Sequence, residues 1–480
     1  MTKMAKMACA ALAALATGAA CAADAAEARI PEGKDPLPHK IGSETPEQKA
    51  ERMAWWRHDR FGLFVHFGLY AVPARHEWVK NREAIDSKTY DSKYLPRFNP
   101  DLYDAKEWAA MAKAAGMKYA VLTSKHHEGF CMWDTATTDY KITNTEFKRD
   151  LVKEYVEAFR EAGLKVGFYY SIIDWHHPDY TLDGRHPDQV RLERSGKRGD
   201  ALKAAIAKAN EGRDMDRYRA YLHAQVRELL TNYGKIDIIW YDFTPAGKSW
   251  RSWNAVELVK MSRELQPGII IDNRLGLMET EDGWDFVTPE QFKVQNPPTV
   301  RGVEVPWETC QTFSGSWGYH RDETTWKSVP QLLELLIHSV SMGGNLIMNV
   351  GPTARGEFDG RAKERLAGFA KWMHWNSRSI YGCGRAPAEF EQPDGTLLTY
   401  NKDKNIIYIH LLDYPMSFLP VAFADRIEYA QFLHDGSELS VREPRKRHVQ
   451  NVEQHPELGG IKLPVLKPDV EIPVVECWLK

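Results

Sequence analysis

The chain has 480 residues and a formal net charge of −3 at pH 7, with 63 Lys and Arg against 66 Asp and Glu. This length allows one large domain with a substantial core and a smaller second domain. The balanced charge gives no electrostatic argument for a nucleic-acid or anionic-membrane partner. The 16 tryptophans and 20 tyrosines first indicate core packing. Aromatic faces also stack on sugar rings, so the composition fits a carbohydrate site.

The beginning of the chain predicts a secretory signal peptide over residues 1–22. After a positively charged start, residues 7–20 are almost wholly apolar and small, and Ala20-Cys21-Ala22 matches an A-x-A cleavage site. The apolar stretch is too short and too rich in alanine to predict a membrane span. Lipid attachment at Cys21 is the less favoured alternative, because Gly18 stands where lipoprotein signals usually carry a large aliphatic residue. We therefore expect export, to the periplasm or the extracellular space, after cleavage near Ala22.

The cysteines do not predict a metal site. Beyond the signal peptide the chain contains Cys131, Cys310, Cys383 and Cys477, with no C-x-x-C or clustered spacing. Export would permit disulfides, but a domain of this size does not need them. We expect these four residues to be buried small hydrophobic side chains.

Residues 23–47 are rich in alanine, proline and charge and predict a linker into a first domain. Apolar strand-like runs and helical patterns then alternate, and glycine follows several of the helices. The predicted strands cover 61–68, 119–122, 165–171, 236–242, 268–274 and 345–350. The predicted helices cover 104–115, 151–162, 215–233, 255–265, 329–341 and 360–381.

Two stretches of this domain lack strong periodicity. Residues 184–214 are charged and predict a surface excursion that is partly helical. Residues 285–310 are rich in aromatic residues and carboxylates and predict a loop. After residue 382 the pattern changes to short strand-like runs, such as 397–400 and 406–412, separated by turns.

These patterns predict a TIM-like (β/α) barrel over residues 48–382, followed by a small antiparallel β-sandwich over 383–480. Fewer than eight clean strand–helix units are visible, so we expect an irregular barrel. A doubly wound sheet is the structural alternative.

A block from Lys118 to Phe130 shows where the chemistry is expected. Its apolar strand runs into a polar cluster that contains His126 and His127. A (β/α) barrel collects its catalytic side chains at the carboxyl ends of its strands. Adjacent residues of a strand point to opposite faces, so both histidines share a pocket only if the strand ends there. The alternative is that one histidine lies in the pocket and the other packs in the core or lies on the surface.

The candidate functional side chains follow several strands. Strand ends supply His66, His126, His127, Tyr170, Asp242 and Arg274, and the loops supply Glu77, Trp78, Glu290 and Glu308. Neither an H-x-H nor an H-E-x-x-H motif for zinc is present, and the G-x-S-x-G motif of a serine hydrolase is also missing. A glycosidase needs two carboxyl groups beside the scissile bond and polar groups that hold hydroxyls, so this class fits best.

Several blocks resemble the α-L-fucosidases of glycoside hydrolase family 29. They lie between about Trp55 and Tyr381, and the Lys-His-His block is the most specific of them. The blocks are Phe61–Gly68, Lys118–Phe130, Trp240–Asp242, Thr288–Gln291, Trp307–Cys310, Ser316–Tyr319 and Asn345–Pro352. The resemblance implies an irregular (β/α) barrel with a β-sandwich behind it.

The resemblance also implies a retaining mechanism with Asp242 as the nucleophile and no metal or organic cofactor. For Asp242 alone, the alternative is a helix N-cap after its strand. His66, Glu77, His126 and His127 are implied to bind the fucose hydroxyls, and Arg274 to orient the nucleophile side of the pocket. Trp78, Tyr170, Trp240 and Trp317 are implied to form the apolar wall.

The general acid/base is predicted to be Glu290, whose block resembles the place where family members carry this residue. Glu308 is the alternative, either as the acid or as a structural carboxylate. The predicted function is an exported enzyme that removes terminal α-L-fucose from glycans by double displacement. Another retaining exoglycosidase, such as an α-galactosidase, and a non-catalytic sugar-binding barrel are the alternatives. The sequence specifies neither the linkage, the aglycone nor the oligomeric state.

Overall fold

The computed structural model describes residues 36–444 and 459–480. The predicted signal peptide and residues 23–35 of the predicted linker lie outside these ranges. In the described part, no helix has the length and apolar character that crossing a membrane requires. The four cysteines of this part are buried, as the sequence predicted, and they are free thiols.

The strands fall into a parallel set, a short hairpin and an antiparallel set. The first nine in chain order are β1 (Phe61–Val65), β2 (Tyr119–Lys125), β3 (Lys165–Ser171), β4 (Ile238–Asp242), β5 (Ile270–Ile271), β6 (Thr299–Val300), β7 (Val303–Glu304), β8 (Glu308–Thr312) and β9 (Asn345–Val350). They are followed by β10 (Thr396–Asn401), β11 (Ile406–Leu411), β12 (Phe418–Pro420), β13 (Ile427–Phe432), β14 (Val441–Arg442), β15 (Gly460–Lys462) and β16 (Val474–Leu479).

The helices mostly connect the parallel strands. They are α1 (Pro46–Arg52), α2 (Ala54–Asp59), α3 (Val79–Arg82), α4 (Ser87–Tyr94), α5 (Ala105–Ala114), α6 (Leu151–Glu161), α7 (Pro187–Arg194), α8 (Gly199–Ala209), α9 (Met215–Thr231), α10 (Trp250–Trp253), α11 (Ala255–Leu265), α12 (Val329–Ser341) and α13 (Gly360–Asn376). Short 3-10 helices lie at Leu69–Ala71, Leu95–Arg97, Ile142–Asn144, Ser377–Ser379 and Ala424–Arg426. The predicted surface excursion over 184–214 contains α7 and α8, so it is partly helical as expected.

The parallel strands form a curled sheet in the order β5-β4-β3-β2-β1-β9-β8. The gap between its edges is bridged by residues 286–290, which pair with Asp272 on one side and with Trp307 and Cys310 on the other. The predicted irregular barrel is therefore confirmed. The prediction of a loop over 285–310 was wrong, because this stretch contains the bridging segment, the β6–β7 hairpin and the start of β8.

Side chains alternate between the inside and the outside of the barrel, as the period of two in a strand requires. The interior cluster contains Phe64, Tyr169 and Trp240, whereas Val65, Tyr170 and Tyr241 belong to the outer layer that packs on the helices. This alternation decides which residue of each strand can reach a pocket at the barrel mouth.

The amino-terminal end of the barrel interior is closed by α2. Trp56 of this helix packs on Phe286, and its indole nitrogen donates a hydrogen bond to Glu308, which the Tyr119 hydroxyl also contacts. Gly62 leaves room for the Tyr119 ring, since a Cβ atom at this position would lie 2.2 Å from that ring. The carboxyl of Glu308 is therefore buried at the end of the barrel away from the strand carboxyl ends.

The antiparallel strands form a separate β-domain. One sheet has the order β10-β11-β16-β13 and the other β12-β15-β14, and residues of both contribute to one hydrophobic core. This arrangement confirms the predicted antiparallel β-sandwich behind the barrel. The α13 side of the barrel contacts it through a hydrogen bond from Trp372 Nε1 to Ile472 O and an ion pair between Arg378 and Glu476.

Candidate active site

A cavity lies at the carboxyl ends of the barrel strands. This is the face at which a (β/α) barrel carries its active site. Its lining combines aromatic rings with histidines, two carboxylates and one guanidinium. The lining residues are Phe64, His66, Trp78, His126, His127, Tyr169, Trp240, Asp242, Phe243, Arg274, Glu290, Cys310 and Trp317.

Asp242, the last residue of β4, is held on both of its carboxylate oxygens. The Arg274 guanidinium donates from Nη1 to Oδ1 at 2.8 Å, and the Tyr169 hydroxyl donates to Oδ2 at 2.6 Å. Burial alone would raise the pKa of Asp242, but the Arg274 charge and the hydrogen bonds from Arg274 and Tyr169 outweigh it and lower the pKa. The carboxyl is therefore an ionised and oriented group at neutral pH.

Arg274 also connects Asp242 to the second carboxylate of the cavity. Its Nη2 atom donates to Glu290 Oε2 at 2.8 Å, and its Nε atom donates to Thr288 Oγ1 at 2.8 Å. The planar fork of a guanidinium fixes the positions of its partners. Asp242 and Glu290 therefore accept hydrogen bonds from the same planar group.

The two glutamates proposed as alternatives for the acid occupy different places. The Glu290 side chain lies in the cavity and is 43% exposed, whereas that of Glu308 is fully buried at the opposite end of the barrel interior. Burial raises the pKa of Glu308 to about 7, although contacts with Tyr119, Trp56 and Trp240 favour its ionised form. Glu308 therefore has the position of a structural carboxyl group.

Three histidines line one side of the cavity, as the adjacent pair in the sequence and His66 predicted. The rings of His126 and His127 are 4.1 Å apart, and those of His66 and His126 are 5.6 Å apart. Burial lowers the pKa of His66 and of His127 to about 4 and that of His126 well below its ordinary value. All three rings are therefore neutral at pH 7 and suited to hydrogen bonding with uncharged hydroxyls.

Trp78 lies in the lining, where its ring contacts those of His127 and Phe243. Glu77 lies directly beside the lining and is buried. It accepts a hydrogen bond from the Gly318 amide at 2.9 Å and approaches His76 Nδ1 at 3.0 Å. Burial opposes the ionisation of Glu77, but these contacts outweigh it and lower its pKa.

One residue implied for the pocket wall lies elsewhere. Tyr170 points to the outer layer of the barrel, where its hydroxyl donates to Gln225 Oε1 at 2.8 Å and its ring faces Lys125. The preceding Tyr169 points inward and contacts Asp242, because alternate residues of β3 face opposite sides. The implied position of Tyr170 is thus corrected to Tyr169.

Sequence reasoning also missed other parts of the lining. Phe64 forms part of the floor with Trp240 and Trp317, at ring-centre distances of 5.3 and 6.0 Å. Phe243 and Cys310 complete the lining. Phe243 directly follows the implied nucleophile, Asp242. Its ring reaches the cavity lining only because of a backbone conformation that the sequence did not indicate.

The backbone next to three carboxylates, two in the cavity lining and one beside it, adopts the left-handed region. His76, Phe243 and Gln291 have φ values of 93°, 79° and 61° and lie beside Glu77, Asp242 and Glu290. Non-glycine residues in this region are strained and cluster at functional sites. At Phe243 the turn sends the aromatic ring into the cavity lining immediately after Asp242.

In the described ranges, 36–444 and 459–480, no group of three or more His, Cys, Asp or Glu side chains is arranged to hold a metal ion. Two of the three pocket histidines use their Nδ1 atoms for hydrogen bonds to other protein side chains. For His66 the partner is Asn349 and for His127 it is Ser171.

Comparison with known proteins agrees with this geometry. The α-L-fucosidase family profile matches residues 38–378. The structure of α-L-fucosidase isoenzyme 1 from Paenibacillus thiaminolyticus is 41% identical, covers 90% of this chain and 99% of its own, and has a TM-score of 0.80. A family 29 α-L-fucosidase from Bacteroides thetaiotaomicron, solved as a trapped covalent intermediate, is 27% identical over 93% of this chain and 100% of its own, with a TM-score of 0.74.

A human relative shows the same relationship. Human tissue α-L-fucosidase is 27% identical over 386 residues, which are 75% of this chain and 76% of that protein. The matched profile covers the barrel and all the residues that line its cavity. The chain belongs to the α-L-fucosidase family, glycoside hydrolase family 29.

Proposed function

We propose that this enzyme hydrolyses terminal α-L-fucosides of glycans or glycoconjugates with retention, by double displacement. The observation that carries the proposal is the single guanidinium of Arg274 between Asp242 and Glu290 in an aromatic pocket. A retaining glycosidase uses one carboxylate as nucleophile and a second carboxyl as acid and then base. The trapped covalent intermediate of the Bacteroides relative, obtained with 2-fluoro-fucosyl fluoride and a Glu-to-Gln mutant, supports this assignment.

Asp242 is the proposed nucleophile. One of its Oδ atoms attacks the anomeric carbon, the bond to the leaving oxygen breaks, and a glycosyl ester forms. Hydrogen bonds from Arg274 and Tyr169 keep this carboxylate ionised and aimed. Glu290 is the proposed acid, which protonates the leaving oxygen and then deprotonates the water that cleaves the ester.

The rest of the lining is proposed to hold the sugar. His66, His126, His127 and Glu77 bind hydroxyls, and Trp78, Trp240 and Trp317 provide apolar contact. Tyr169 takes the place in the pocket that the resemblance had implied for Tyr170.

The stereochemical test is direct. An aryl α-L-fucoside should release the α-anomer of fucose first, as observed by NMR during early hydrolysis, and the matching aryl α-galactoside should react far more slowly. Asp242→Gly should abolish turnover, and azide should restore it by taking the place of the missing carboxylate. Release of the β-anomer first, or near-normal turnover by Asp242→Gly, would refute double displacement through this residue.

The acid/base assignment is tested with leaving groups. Glu290→Ala should slow aryl fucosides with poor leaving groups far more than those with good ones, because only the former need protonation. Glu308→Gln is the matched variant, and its rates should show no such dependence. The opposite result would transfer the role to Glu308.

Export is proposed from the sequence of residues 1–22. Expression with the native beginning in a bacterial host should yield a mature protein that starts at Ala23 and lies outside the cytoplasm. A protein that starts at Cys21 and remains with the membrane fraction would show lipid attachment instead. Retention of all 22 residues in the cytoplasm would refute export altogether.

A further inference from the structure

The side chains behind two of the pocket histidines determine which ring nitrogen carries the proton. His66 and His127 both line the cavity, and the Nδ1 atom of each is bonded to a buried residue outside the lining. In a neutral imidazole one nitrogen donates and the other accepts, so the partner of Nδ1 also fixes the role of Nε2.

Asn349 of β9 fixes the ring of His66. Its amide nitrogen donates to the backbone oxygen of Trp317 at 2.6 Å, and a carbonyl oxygen can only accept. The other end of the amide, Oδ1, must therefore face His66 Nδ1, from which it lies 2.6 Å away. Since Oδ1 can only accept, the Nδ1 atom of His66 carries a proton.

Ser171 of β3 fixes the ring of His127 by the same logic. Its hydroxyl donates its single proton to the backbone oxygen of Ile173 at 2.7 Å. Oγ therefore accepts from His127 Nδ1, which lies 2.7 Å away. Both histidines are neutral at pH 7, because burial lowers the pKa of each to about 4. The Nε2 atom of each ring then has a free lone pair.

We propose that Asn349 and Ser171 are positioning residues that hold His66 and His127 in the tautomer whose Nε2 atom accepts a hydrogen bond from a sugar hydroxyl. The identity of the sugar rests on the proposed function, whereas the tautomers follow from the protein contacts alone. His126 provides an internal comparison, because its Nδ1 atom has no hydrogen-bond partner within the described part of the chain.

The position of His127 shows why the tautomer matters. Its Nε2 atom lies 3.8 Å from Asp242 Oδ2. If Nε2 carried the proton, His127 would donate a hydrogen bond to this carboxylate. That bond would occupy an oxygen of the nucleophile. With the proton on Nδ1, Asp242 and Nε2 are two acceptors that face the same space, and a hydroxyl of the substrate can donate there. Ser171 thus keeps His127 from becoming a competing partner of the nucleophile.

The tautomers can be measured without substrate. In protein labelled with 15N in its histidine rings, long-range 1H–15N spectra at pH 7 should show His66 and His127 protonated on Nδ1. The variants His66→Gln and His127→Gln assign the two sets of signals. Ser171→Ala should move the His127 signals toward the Nε2-protonated form and leave His66 unchanged, and Asn349→Leu should affect His66. A wild-type proton on Nε2 of either ring, or His127 signals unaffected by Ser171→Ala, would overturn the proposal.

A matched pair of variants tests the kinetic consequence. Ser171→Ala should lower kcat/KM for an aryl fucoside about tenfold, which is the effect of one hydrogen bond. Ser124→Ala removes an equally buried hydroxyl, which donates to the Tyr169 carbonyl at 2.7 Å and not to any histidine of the described residues. It should change kcat/KM less than twofold. Equal losses in both variants would mean that packing is responsible and would overturn the proposal. A wild-type enzyme that cleaves no α-fucoside would refute the proposed function, while the NMR result still decides the tautomers.

Discussion

The buried Glu308 should make the stability of this protein depend on pH in a defined way. Its side chain is fully buried at the closed end of the barrel, and burial raises its pKa from 4.5 to about 7. A carboxyl with a raised pKa binds its proton more tightly in the folded state than in the unfolded chain. The folded state therefore loses stability as the pH rises from 4.5 to 7, and the full loss persists above pH 7.

The magnitude follows from the size of this shift. Each pKa unit corresponds to about 1.4 kcal/mol, so the ionisation of Glu308 should lower the free energy of unfolding by about 3 kcal/mol between pH 4.5 and 8. Glu308→Gln keeps the acceptor for Trp56 and Tyr119 but cannot ionise. The stability difference between the variant and the wild type should therefore change with pH. Relative to the wild type, Glu308→Gln should gain about 3 kcal/mol in free energy of unfolding between pH 4.5 and pH 8.

The assay is urea denaturation of both proteins across this range. Glu128, whose pKa burial also raises to about 7, is present in both proteins and cancels in the comparison. Glu304→Gln, at an exposed residue of β7 paired with Arg385, is the control and should change stability by less than about 0.5 kcal/mol at every pH. A difference between wild type and Glu308→Gln that stays constant from pH 4.5 to 8 would refute the reasoning.

Three further predictions concern the pocket and its support. Tyr169→Phe should lower kcat/KM for an aryl fucoside about 10- to 100-fold, because the Asp242 carboxylate loses a charge-assisted hydrogen bond. The acidic limb of the pH profile should move to higher pH for the same reason. Tyr170→Phe, which changes only the outer layer, should alter kcat/KM less than about twofold and leave the acidic limb in place. Lys125→Met should destabilise the fold by about 3–5 kcal/mol in urea denaturation, because it leaves the buried carboxylate of Asp174 without its ion-pair partner at 3.0 Å; a loss below 1 kcal/mol would contradict this. Prolonged treatment with EDTA should leave activity on aryl fucosides unchanged, and loss that zinc or calcium restores would show that a metal is required.

The regular parts of the barrel could be predicted because local and tertiary signals agree there. The helices predicted to begin near residues 104, 151 and 215 begin after Asp104, Asp150 and Asp214, which accept hydrogen bonds from the first-turn amides. The strand that contains Asp242 combines β-branched residues with a polar end. In these segments the capping residues and the apolar pattern agree with the observed elements.

The errors have identifiable physical causes. The middle of β3 is buried on both faces and shows no polar alternation, so the sequence did not reveal that Tyr169 faces inward and Tyr170 outward. The segment over residues 286–290 was missed because it pairs only through single bridges and contains Pro289, which lacks an amide donor. Its path is determined by the neighbouring strands, and these contacts join residues far apart in the chain.

The segment over residues 286–290 also positions Glu290, the proposed general acid/base. The backbone around Glu290 is fixed by a bridge to Cys310 and by a hydrogen bond from the Gln291 amide to the Cys310 carbonyl at 3.1 Å. Thr288 of the same segment receives the Nε proton of Arg274, and Glu290 receives one from Nη2. A single irregular stretch therefore supplies the second carboxylate and an anchor of the arginine that orients the first. Because both depend on the same backbone path, the segment that closes the barrel also sets the relation between the two carboxylates.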